Sequence, residues 1–169
     1  MDECGCNVGP PSADPPEGTA SWKGYNLGGG QHQGSSELGG LAFQESGLAT
    51  PSGGSADTAL IAGTADDPLW STVYQATGFV MMSLEIPVEN PGRYKVTFYA
   101  SSTTSCPTPN QNIFIENQRL ISDWQPSAGD GPSQQQATVE ITDAAMNISL
   151  QGGGGNIFNG QVVLSAIVV

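Results

Sequence analysis

The chain has 169 residues, 37% hydrophobic and only 12% charged, which amounts to one domain with a tail and enough mass to bury a core without a metal or disulfide staple. Four Lys plus Arg against sixteen Asp plus Glu give a formal charge of −12. That excludes a nucleic-acid binder working through phosphate contacts and disfavours an anionic membrane surface as partner.

Residues 1–20 are proline-rich, hold Cys4 and Cys6, and contain almost no bulky apolar side chain. Such a segment cannot bury enough surface to order itself, so it reads as a flexible leader or linker, with the module proper at 21–169. With Cys106 the cysteines number three, and an odd count closes no complete disulfide framework. Either leader cysteine could reach Cys106, and spacing chooses neither. His32 is the single histidine, which leaves a zinc site short of a fourth ligand. No apolar run approaches the roughly 20 residues of a membrane-spanning helix.

From Trp22 onward short apolar runs alternate with turn residues, the pattern of strands rather than helices. The expected strands are Ser21–Leu27, Leu41–Glu45, Thr58–Ala62, Phe79–Ile86, Arg93–Ala100, Asn112–Glu116, Leu120–Trp124, Ala137–Ile141, Asn147–Gln151 and Gln161–Val169. In Arg93–Ala100, Tyr94, Val96 and Phe98 share one face and Lys95, Thr97 and Tyr99 the other. Glu89-Asn90-Pro91-Gly92 is a turn signal between two strong strands, and Asn117-Gln118 fits a tight hairpin. The last run, Val162–Val169, is the most apolar and is expected at the centre of a sheet. About ten strands at this spacing predict an all-β fold, best fitted by a two-sheet jelly-roll β-sandwich.

Signals for catalysis are weak. His32 lies in a glycine-rich loop with no Gly-x-Ser-x-Gly elbow and no helix to receive one, so it reads as an exposed loop residue. Gly28–Gly30 and Gly152–Gly155 lack the Gly-Lys-Ser/Thr ending of a phosphate loop. Glu45, Asp66, Asp67, Glu85, Asp123 and Asp130 could supply two carboxylates for glycoside hydrolysis, but any six would look like pairs on paper. Asp66-Asp67 before Pro68 reads as a capped turn and leaves a structural calcium ion open. The aromatic residues say more. Trp70, Tyr74, Trp124 and Phe158 sit at expected strand ends or in polar stretches. There a ring can offer a flat apolar face to a pyranose while nearby amides and carboxylates bond its hydroxyls.

The segments Gly63-Thr64, Asp66-Asp67 and Leu69-Trp70-Ser71-Thr72, followed by Ile86-Pro87-Val88 and Gly92-Arg93-Tyr94-Lys95-Val96, resemble the malectin family. Gly28–Gly30 after the first strand and the closing run Val162–Ile167 extend the resemblance over roughly 22–169. The resemblance implies a jelly roll that binds carbohydrate through loops at one end, without catalysis. It also implies a pocket-lining tyrosine at Tyr74 and places Asn159 where the family has a sugar-contacting acidic residue. One departure stands out. The family's Phe-Ala-Glu strand end and aromatic pair read Tyr99-Ala100-Ser101-Ser102-Thr103-Thr104 here.

The resulting expectation is a secreted or cell-surface, non-catalytic module, appended to a larger protein, that binds a neutral polysaccharide or oligosaccharide. Trp70, Tyr74, Tyr99, Trp124 and Phe158 are the expected platforms and Asn159 the hydroxyl partner. No cofactor, nucleic-acid partner or membrane insertion is expected. The rival is a structural or adhesive surface domain on the same fold that has lost the sugar site, which the absent aromatic pair favours. A third reading, a hydrolase or lyase with paired carboxylates, would show itself by releasing product from polysaccharide.

Overall fold

The computed structural model describes residues 22–27, 29–45, 55–58, 66, 69, 72–77, 81–101, 110–126, 133–153 and 161–169. They form β1 (Gly24–Asn26), β2 (His32–Gln33), β3 (Ala42–Glu45), β4 (Ser55–Thr58), β5 (Thr72–Thr77), β6 (Met81–Pro87) and β7 (Gly92–Ala100). After these come β8 (Asn110–Ile115), β9 (Gln118–Trp124), β10 (Ser133–Ile141), β11 (Ala145–Gly153), β12 (Gln161–Leu164) and β13 (Ala166–Val168). Among the described residues a 3-10 turn, Ser36–Leu38, lies between β2 and β3. The six-stranded sheet runs β10-β7-β13-β1-β3-β2, the four-stranded sheet β6-β11-β8-β9, and a three-stranded sheet β12-β5-β4. The fold is the expected all-β sandwich, with its main core between the two larger sheets.

The two layers bury their strands differently, and the sequence shows why. In the four-stranded sheet, β6 alternates strictly: Met82, Leu84 and Ile86 are buried while Met81, Glu85 and Pro87 are exposed. Ile113 and Ile115 of β8 and Met146, Ile148 and Leu150 of β11 point the same way, into the core. That is an antiparallel sheet with one dry face and one wet face. Phe114, between Ile113 and Ile115, therefore lies on the wet side and is only half-buried.

The six-stranded sheet is covered on both faces. Val96, Phe98 and Ala100 of β7 enter the main core. Tyr99, between them, joins a second cluster on the opposite face with Leu38, Phe43, Leu69, Ala166 and Val168. The last five residues of β7 are consequently all buried, polar Thr97 included. Gly24 makes this covering possible, because a Cβ there would stand 2.9 Å from Phe43 Cδ1 and 3.1 Å from the Ala42 carbonyl oxygen. Phe43 is itself buried. Gly24→Ala is expected to cost about 1–3 kcal/mol through overpacking, read as a lower urea midpoint. An unchanged midpoint would show that Phe43 can move aside.

Three expectations need correction. β5 is a strand absent from the sequence reading; of the strand expected at 58–62, Thr58 ends β4 and the rest lies outside the described residues. The β8–β9 turn is Glu116-Asn117, one residue earlier than expected, and both residues have left-handed φ, 50° and 62°. That geometry matches a two-residue hairpin, whose twist must follow the strands. The Glu116 carboxylate fixes the turn to β11 by accepting the Asn147 N–H at 2.6 Å.

The expected single C-terminal strand breaks at Ser165. Its N–H donates to the Tyr99 carbonyl (2.8 Å) and its carbonyl accepts from Leu27 (3.0 Å), after which β13 continues between β7 and β1. The centre-of-sheet expectation holds for β13. β12 instead lies at one edge of the three-stranded sheet, where the buried Gln111 side chain stitches it to β8. Gln111 Nε2 donates to the Val163 carbonyl (3.1 Å), and its Oε1 accepts the Val163 N–H (2.9 Å). The expected 1–20 leader, with Cys4, Cys6 and also Cys106, lies outside the described residues.

Candidate functional site

Strand registers bring many termini to one end of the sandwich. Ala100 of β7 pairs with Ser133 of β10, Gln111 with Trp124, Asn110 with Gly153, and Thr77 with Gln161. The best-defined polar group at this end is built by a bulge. The β8–β9 register shifts between Gln111 and Phe114, and Asp123 takes a left-handed φ of 52°. A left-handed conformation is uncommon outside glycine, and Asp is one of the residues that tolerate it. Asn112 Oδ1 accepts the Asp123 N–H at 3.0 Å, which holds the irregular backbone in place. Gln125 Nε2 donates to Asn110 Oδ1 beside it. The bulge turns Asp123 and Gln125 to solvent, with Asn110 and Asn112 half-exposed. A carboxylate and three amides offer donors and acceptors in several directions, the chemistry that polyhydroxylated ligands need.

The expected platforms fare differently. Trp124 belongs to this end but is only 5% exposed and packs in the main core, so it supports the polar group from beneath. Tyr99 reaches the same end in the other layer and is also 5% exposed, in the second core. Burial raises its phenol pKa. Neither ring presents an open face, because the strand ends they occupy are covered rather than free. Tyr74 is not a loop residue; its backbone pairs with Leu164 and Ala56 in the middle of β5. Trp70, Phe158 and Asn159 lie outside the described residues. Asp123 was visible in the sequence only as one carboxylate among six. Its left-handed backbone, which singles it out, follows from pairing with β8.

A second polar constellation lies over the outer face of the six-stranded sheet. Asp66 is 2% exposed. Its Oδ1 meets His32 Nε2 at 2.9 Å and accepts the Ser35 N–H at 2.8 Å, while Oδ2 accepts the Ser35 hydroxyl at 2.7 Å. The Asp66 carbonyl also accepts the Leu69 N–H, a backbone turn bond; Asp67 and Pro68 of the expected capped turn lie outside the described residues. His32, expected as an exposed loop residue, is instead mostly buried against this carboxylate. The three residue types are those of a hydrolytic triad, but the order is wrong. A triad needs the imidazole between hydroxyl and carboxylate, whereas here the carboxylate sits between the other two. Burial alone would raise the Asp66 pKa, and the bonds from His32 and Ser35 overcome that and hold it below the ordinary value. This is a clamp joining β2 to the chain that carries Leu69.

No family model matches the chain, and no curated protein matches its sequence. Solved structures do share its fold. Bacteroides uniformis β-glucuronidase 2, covalently bound to cyclophellitol-6-carboxylate aziridine, superposes with a TM-score of 0.67 at 16% identity, over 88% of this chain and 17% of that one. The ANXUR1 extracellular domain from Arabidopsis thaliana gives 0.67 at 11% identity, over 86% and 46%. The complex of the plant peptide RALF23 with FER and LLG2 gives 0.66 at 15%, over 86% and 47%. The chain thus spans less than half the length of each. At these identities the likeness establishes the architecture: a β-sandwich of the kind found within a bacterial glucuronidase and plant extracellular domains.

Proposed function

We propose that the chain is an extracellular, non-catalytic carbohydrate-binding module that takes a neutral poly- or oligosaccharide at the bulged end of the sandwich. The observation that carries this reading is the group around Asp123. A bulge holds a left-handed aspartate outward beside Asn110, Asn112 and Gln125, and such bulges recur where a strand must re-aim a side chain. The malectin resemblance and the shared fold support it. The segment carrying Phe158 and Asn159 starts from Gly153 and ends at Gln161, both at this end. Trp70 and Tyr74 remain candidate platforms, whereas Tyr99 and Trp124 become supporting residues.

Affinity electrophoresis against soluble neutral and acidic polysaccharides, with and without chelator, tests the reading. Retardation by a neutral polymer is expected. Asp123→Asn with Gln125→Ala should weaken it about tenfold or more, the loss of one or two hydrogen bonds to the ligand. Both side chains are exposed, so the melting temperature should stay close to the parent value. Undiminished retardation in the double variant would move the site elsewhere. No retardation by any polymer would favour the surface-domain reading, to which the two buried rings at this end already lend weight.

A further inference from the structure

A pocket of about 130 Å³ opens at the opposite end of the sandwich, between the start of β1 and the β6–β7 turn. Its floor is apolar, formed by Ile86, Val88 and Val169. Lys23 and Glu89 close one side, with Nζ 2.7 Å from Oε1. Across from them the Tyr94 hydroxyl donates to the Asn90 carbonyl at 2.5 Å, which fixes the phenol ring against the turn. Tyr25 lines the pocket as well. Its ring is only 6% exposed, and its hydroxyl, which makes no hydrogen bond among the described residues, is reached by solvent through the pocket. A phenol that opens into a pocket without a protein partner is free to donate to or accept from a molecule seated there. Burial and the Glu89 charge keep that phenol protonated, Lys23 opposing them.

The chemistry narrows what such a molecule is. Lys23 and Glu89 already neutralise each other, and the chain carries −12 overall. An anion would meet Glu89 and a negative field, and a cation would have to displace Lys23. Neutral hydroxyls meet neither penalty, since ammonium donates, carboxylate accepts and phenol does either. The pocket is small and open to solvent, so one hydroxylated ring can seat against the side chains while the rest of a ligand stays outside.

We propose that this pocket is a second binding site, specific for a single neutral pyranose unit such as a chain end, with Tyr25, Lys23 and Glu89 as its hydroxyl partners. It takes its ligand class from the function proposed above, but none of its residues. Amide-resolved NMR titration of the full chain with methyl glucoside, galactoside and mannoside, and with N-acetylglucosamine, tests it. One probe should give saturable shifts at Lys23, Tyr25, Val88–Asn90 and Tyr94. Tyr25→Phe keeps the ring packing and removes only the hydroxyl, so it should weaken these shifts about tenfold with the fold intact. Glu89→Gln changes an exposed side chain that cannot unfold the protein, and it should do the same. Shifts confined to the Asp123 end, or shifts at the pocket that both variants leave untouched, would overturn the pocket site while preserving the proposed function. Pocket shifts without any at the Asp123 end would support this site and overturn the placement proposed above. No saturable shift with any probe would overturn the pocket site, and the electrophoresis decides the wider reading separately.

Discussion

Asp66→Ala is expected to lower stability by about 3–5 kcal/mol, the usual cost of removing one partner from a buried charge-centred network. The carboxylate holds the Ser35 amide, the Ser35 hydroxyl and His32 at once. Its loss leaves the Ser35 N–H without that acceptor and frees the backbone that positions Leu69 over the second core. Urea denaturation measures the effect, and a loss under about 1 kcal/mol would show that the clamp is incidental. Asp66→Asn keeps one acceptor oxygen and should lose less. The pH dependence has a definite sign. Because the folded carboxyl sits below its ordinary value of 3.8, it adds stability above that value, and this contribution disappears as pH falls through the lower folded value. The parent's advantage over Asp66→Asn should therefore be constant near neutrality and shrink below about pH 3.8. An advantage that persisted well below that value would contradict the hydrogen-bond assignment.

Gln111→Leu should have the second large effect, although leucine is similar in bulk and better suited to a dry interior. Gln111 is fully buried and satisfies both the amide and the carbonyl of Val163. Leucine would leave both groups buried without that partner, at about 1–3 kcal/mol each, or about 2–6 kcal/mol together. Hydrogen exchange isolates the cause. Protection of the Val163 amide should collapse towards that of a frayed edge while amides in β7 follow only the global loss. A Val163 amide still protected in the variant would mean that β12 is held by packing alone.

Much of the fold was legible because strands with one wet face announce themselves. β6 and β11 alternate cleanly, and the strands expected at Phe79–Ile86 and Asn147–Gln151 fall on them. β5 escaped because Thr72-Val73-Tyr74-Gln75-Ala76-Thr77 mixes strand formers with an amide and has no apolar run. The break at Ser165 was hidden for the opposite reason: one hydroxyl inside an apolar run does not say that the backbone changes neighbours. The site was less legible than the fold. Strand-end aromatics were read as exposed, yet Tyr99 is covered by Leu38 and Leu69, which reach it from distant sequence. The His32–Asp66 contact spans 34 residues and leaves no spacing motif. Asp123 owes its outward turn to a register shift that no single strand encodes.

The placement of β13 sets an order of events during synthesis. It is made after every other described strand of this fold, yet it is the plank between β7 and β1, without which β1-β3-β2 has no bonded neighbour in the sheet. A nascent chain shorter than Ser165 can pair β10 with β7 and assemble the four-stranded sheet, but it cannot close the six-stranded one. The apolar edges of β7 and β1 stay open until Ala166–Val168 arrive. Truncation from the C-terminal side should therefore yield a species that aggregates rather than a smaller folded module, and a fusion partner placed there must leave β13 free to insert.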